Sequence, residues 1–118
     1  MSWYLADVVE RCETAGIKVS ARGRYLTWVN TVLIRAASLT EAYDEALKVA
    51  KKTYNSRYKA ASGRNVRWKV LGLSSLLPVY EPLRHGSEII WEDRGYLSAK
   101  RSGRMIRSKR ELISRKNG

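Results

Sequence analysis

The chain has 118 residues, 44% hydrophobic and 29% charged, and its 23 Lys and Arg against 11 Asp and Glu leave a net charge of +12 at pH 7. That length supports one modest hydrophobic core rather than two, and the charge excess draws polyanions or acidic protein surfaces at range. A single cysteine, Cys12, and a single histidine, His85, rule out an intramolecular disulfide and a Cys/His zinc centre, and no apolar run nears the roughly 20 residues needed to cross a bilayer.

Residues 3–12 open the chain with aromatic and β-branched side chains, placing Tyr4, Ala6 and Val8 on one face under a two-residue period. This predicts a first strand, ended by the turn-like Glu13-Thr14-Ala15-Gly16. A second strand is predicted over residues 24–36, with Leu26, Trp28, Val32, Ile34 and Ala36 on one face and Asn30 the one polar residue among them. Val29 and Leu33 on its other face point to a central strand. Ser38 and Glu41 then form a capping box. The helix that follows is expected to run to about Gly63 and to bury Ala42, Tyr43, Ala46, Leu47, Ala50 and Tyr54. Its solvent face would align Lys48, Lys52, Asn55 and Lys59 as a basic stripe. Residues 66–73 predict a third strand, Val66, Trp68 and Val70 alternating with Arg67, Lys69 and Leu71. Pro78 and Pro82 mark residues 73–86 as a loop or short edge segment, and Ile89-Ile90-Trp91 within residues 87–92 predicts a fourth strand. The order β-β-α-β-β implies an α+β fold, an antiparallel sheet of about four strands with one main helix packed on one face.

Residues 99–118 differ in kind and form a basic C-terminal extension to a domain expected over residues 1–98. They hold eight cations, Lys100, Arg101, Arg104, Arg107, Lys109, Arg110, Arg115 and Lys116, against Glu111, so 8 − 1 = +7 of the whole +12 lies here. Met105, Ile106, Leu112 and Ile113 interrupt the charge, and Ser108 with Glu111 makes a second capping box. A short strand near Met105-Ile106 and a helical turn after Ser108 are the expectation.

Four stretches resemble a family of small bacterial proteins known only as an uncharacterised domain of unknown function. They are Trp3-Tyr4-x-Ala6, Ser38-x-x-Glu41-Ala42, Trp68-Lys69-Val70-Leu71-Gly72-Leu73 and Gly86-Ser87-Glu88. The resemblance spans most of residues 3–91 and implies a small α+β domain of bacterial or phage type. It brings no functional residue with it, and the basic tail is more pronounced than the family pattern implies.

For catalysis the sequence offers little. Glu92 and Asp93 are adjacent and would point to opposite faces of a strand, Gly23, Gly63 and Gly103 are isolated turn residues rather than a phosphate cradle, and Cys12 reads as a small buried hydrophobe. The expectation is a non-enzymatic module of the cytoplasm, needing no metal or cofactor and making no membrane contact. Its basic surface would engage nucleic acid, RNA or non-specific DNA, through the eight tail cations with Lys48, Lys52 and Lys59. Arg24-Tyr25, Arg57-Tyr58-Lys59 and Arg67-Trp68-Lys69 place rings beside cations, as base-stacking platforms do. The alternative is an adaptor that docks on an acidic protein surface, possibly in a bacterial or phage conflict or regulatory system, with the tail's four apolar residues as anchors.

Overall fold

The computed structural model describes residues 1–114. In chain order it forms β1 (Ser2–Thr14), β2 (Thr27–Ala36), α1 (Leu39–Tyr54), β3 (Ser56–Lys59), β4 (Asn65–Val79), α2 (Ala99–Arg104) and α3 (Lys109–Ser114). The four strands make one antiparallel sheet in the order β2-β1-β4-β3. The fold is thus α+β, β-β-α-β-β, as expected, with the two short helices after it.

The long strands follow from period-two patterning. Along β1 the even-numbered residues Tyr4, Ala6 and Val8 are buried, and the register sets Tyr4 against Ile34 and Ala6 against Val32, so the two strands present one apolar face together. Helix α1 covers that face. Ala42, Ala46 and Ala50 are fully buried against Tyr4, Ile34, Ala36 and Val8, and their small side chains allow the helix to lie close to the sheet. Ser38 accepts from the Glu41 backbone N–H at 3.1 Å, and Glu41 reaches back to the Ala37 N–H at 3.1 Å, closing the capping box. Val49 packs on the core, Leu47 is half-buried and Tyr43 is exposed, so the buried stripe is rotated slightly from the one read in the sequence.

Several expectations are corrected. The helix stops at Tyr54 rather than near Gly63, because the Asn55 side chain turns to the sheet and accepts from the Val70 N–H at 2.9 Å. The next residues pair as β3 with β4 through a turn in which Gly63 sits at φ +85°. Asn55 and Lys59 therefore leave the predicted helical stripe, while Lys48 and Lys52 stay exposed on α1. Strand β2 is an edge strand rather than a central one, and its Val29 and Leu33 are exposed.

The remaining corrections concern the second half of the chain. Strand β4 runs on through Pro78, which lies opposite Tyr4 where β3 no longer flanks β4 and the strand is an edge, the position in which a sheet tolerates proline. Residues 87–92 form no strand. The Ser87 hydroxyl donates to the Pro82 carbonyl and the Glu88 N–H to the Glu81 carboxylate at 2.6 Å, so these polar groups are satisfied in a local turn, and Ile89, Ile90 and Trp91 remain exposed. Likewise Met105 ends α2 in helical geometry and no strand forms at Met105-Ile106, because Ser98 caps the helical turn locally. The Ser108 box is present, the Glu111 N–H meeting the Ser108 hydroxyl at 3.1 Å. Neither α2 nor α3 buries a residue. The radius of gyration, 18.1 Å, exceeds the roughly 13.5 Å of a compact chain of this length.

Candidate nucleic-acid interface

Two irregularities in β4 decide where its cations point. The register passes from Asp7↔Ser75 to Val8↔Leu73 and from Val9↔Gly72 to Glu10↔Val70, so Ser74 and Leu71 are extra residues on β4. One insertion alone would swap the faces of everything beyond it. The second restores the phase. Val70, Trp68 and Val66 therefore return to the helix side, where all three are buried, and Lys69 and Arg67 emerge on the uncovered face.

On that uncovered face the register sets Arg11 directly against Lys69 and Arg57 directly against Arg67. Like charges opposed across strands destabilise a sheet. Glu13, buried to 5% exposure, offsets part of this. One of its oxygens takes the Arg11 guanidinium at 2.8 Å and 2.9 Å, the other that of Arg67 at 3.1 Å and 3.3 Å. Burial pushes the Glu13 carboxyl up, but the hydrogen bonds and charges of the two arginines outweigh it and hold the group below the usual glutamate value. Arg57, Lys59 and Lys69 have no carboxylate partner among the described residues.

The edge of this cluster is an open groove of about 740 Å³, bordered by Lys18, Arg57, Lys59 and Arg67, by the arginine-paired Glu13, and by Ile17, Tyr58 and Val66. Tyr58 lies opposite Val66 with its hydroxyl 4.0 Å from Cys12 Sγ, and it is 48% exposed. The Tyr25 ring lies 5.7 Å from the Arg11 guanidinium, its hydroxyl accepting from the Ser20 N–H, and Trp68 is buried and stacks on Trp28 with centroids 4.5 Å apart. A structural role absorbs Trp68, as its alternation with Arg67 and Lys69 implies, whereas Tyr58 remains available.

The predicted cations divide into three groups. Lys100, Arg101 and Arg104 on α2, Arg107 between the helices, and Lys109 and Arg110 on α3 are all exposed; Arg115 and Lys116 lie outside the described residues. Lys48 and Lys52 occupy the solvent side of α1, away from the uncovered sheet face, so they do not join the strand cluster. Lys59 does join it, through β3 rather than the helix. Arg11, Glu13, Lys18, Arg57, Arg67 and Lys69 were missed as a group. Sequence signals existed for some of them, since Arg11 and Glu13 share a face by period two, as do Arg67 and Lys69, but only the register brings the pairs together. Asn30, the odd polar residue of β2, is explained by its amide donating to the buried Glu10 carboxylate.

The fold and this site define a small antiparallel α+β domain with one sheet face packed by a helix and the other apolar along Leu5, Val9, Val29, Leu33 and Leu77 and basic at the end that holds Arg11, Arg57, Arg67 and Lys69. Residues 3–91 match the family model described as Domain of unknown function (DUF4288), and the chain belongs to that family. No curated protein and no solved structure matches it. Among the described residues no helix is long and apolar enough to cross a membrane, and no group of three or more potential ligands is placed to hold a metal ion.

Proposed function

We propose that this protein is a non-enzymatic binding module whose basic surface engages nucleic acid, RNA or non-specific DNA, with the C-terminal extension adding charge. One observation carries the reading. Arg11 against Lys69 and Arg57 against Arg67 set like charges face to face, and Glu13 pairs only one member of each, so a repulsion is left that one neutral residue in each pair would relieve. A polyanion relieves it instead and is bound by the same charges. If Lys18, Arg57, Lys59, Arg67 and Lys69 each neutralise one phosphate, the log–log slope of affinity against salt is about −3.5 on a single strand and about −4.5 on a duplex, before any contribution from the tail. A salt titration with a mixed-sequence oligonucleotide measures this. Salt-independent binding, or none at low ionic strength, would remove the proposal.

The exposure of Met105, Ile106, Leu112 and Ile113 favours a second reading, an adaptor whose extension folds against an acidic protein. It differs in predicting a stoichiometric protein complex that survives nuclease treatment of the extract.

A further inference from the structure

We infer that the groove along β3 is a site for one unpaired nucleotide of a single strand, its phosphate held by Arg57, Lys59 and Arg67 and its base laid on Tyr58. This rests on the nucleic-acid reading above and narrows it to a substrate class. The cations alone would suit any polyanion; the ring is what distinguishes. Tyr58 is the residue between Arg57 and Lys59 on a four-residue edge strand, so alternation puts its side chain on the opposite side of β3 from theirs, and all three border the same groove. A chain lying along that edge meets cations on one side and an aromatic face on the other. The backbone and bases of a single strand diverge in the same way, and stacking on a ring needs a base whose face is free. In a duplex those faces are already stacked on neighbouring bases.

Size and exposure agree with this. The groove's volume of about 740 Å³ falls in the range that encloses a small organic ligand, about one or two nucleotides. Tyr58 pairs across the strands with Val66, its hydroxyl lies 4.0 Å from Cys12 Sγ, and about half of the residue stays uncovered. The uncovered half is the platform. An acidic peptide would use the cations and leave the ring without a role.

The test uses the full chain and compares a labelled mixed-sequence single strand of about twelve nucleotides, its duplex and polyglutamate by fluorescence anisotropy at one low salt concentration. Tyr58→Ala is expected to weaken single-strand binding about 5- to 150-fold, the equivalent of losing one base stack, and to leave duplex binding unchanged; Tyr58→Phe keeps the single-strand affinity. A single strand carrying 5-bromouracil should photo-crosslink to Tyr58 in the unmodified protein, a readout that does not depend on the variant folding. Single strand and duplex binding with no dependence on Tyr58, together with no crosslink there, would overturn the inference and leave the basic-surface reading intact. Polyglutamate binding that weakens with Tyr58→Ala as much as the single strand does would overturn it in favour of a protein ligand. Binding of neither nucleic acid would overturn both.

Discussion

Replacing Glu13 with Gln should make the protein less stable and a better binder of nucleic acid. The Glu13 carboxylate receives four N–H contacts between 2.8 Å and 3.3 Å from Arg11 and Arg67, and among the described residues it is the one carboxylate paired with a cation on the uncovered sheet face. A hydrogen bond to a charged group contributes about 1.5–3 kcal/mol, and breaking a buried pair from one side costs about 3–5 kcal/mol. Solvent screens both arginines, whose side chains are 24% and 45% exposed, so the lower part of that range applies. About 2–3 kcal/mol is expected, or a fall in Tm of about 8–12 °C for a domain of this size. The pH dependence has a fixed sign. Because the folded carboxyl is held below its usual value, its stabilisation is complete above the unfolded pKa and disappears as pH falls through the folded one. The difference between Glu13→Gln and the native protein should therefore shrink on acidification below the ordinary glutamate range. Binding moves the other way, since Arg67 loses a competing carboxylate and the freed Arg11 guanidinium can meet a further phosphate, steepening the salt slope on a single strand by about 0.7. Thermal melts across pH and a salt titration measure both. A variant as stable as the native protein, or one that binds more weakly, would refute this account of Glu13.

Two further outcomes follow from the packing. Ala46→Leu forces three extra carbons between α1 and the sheet at a site with no exposed surface, and urea denaturation should show a loss of about 1–3 kcal/mol. Removing residues 99–118 should leave Tm within about 2 °C, because α2 and α3 bury nothing, while lowering nucleic-acid affinity and flattening its salt slope; a large fall in Tm would mean that the extension docks on the domain.

The sequence was most legible where local signals agreed with one another. The Ser38–Glu41 box, the alanine stripe of α1 and the alternation of Val66, Trp68 and Val70 each state a face or a boundary within a few residues, and each is present in the structure. What escaped reading was decided by partners distant in the chain. Residues 56–59 have ordinary helix-compatible composition, and they become β3 because β4 offers an edge opposite Trp68 and Asn65. Residues 87–92 have the composition of a strand and find no ladder, because their polar groups bond locally around Glu81 and Pro82. The bulges at Ser74 and Leu71 could not be read from alternation, since two insertions cancel beyond the second; Gly72, at φ +151° between them, is the trace they leave in the sequence.

The same alternation changes what the ring-and-cation triplets mean. Read linearly, Arg57-Tyr58-Lys59 and Arg67-Trp68-Lys69 look like two equal stacking sites, but a strand separates each ring from its neighbouring cations by sending them to opposite faces. Trp68 sits on a strand with neighbours on both sides, so its ring is sealed against Trp28 while Arg67 and Lys69 serve the other face alone. Tyr58 sits on the edge strand, where no further strand closes the side of the sheet, and only there can one ligand meet both faces at once. Edge position, rather than residue type, is what makes one triplet structural and leaves the other accessible to a ligand. The extension acts by different physics. Its described cations lie on or between two six-residue helices without buried residues, so they add attraction at range and set no geometry, and discrimination between forms of nucleic acid falls to the β3 groove.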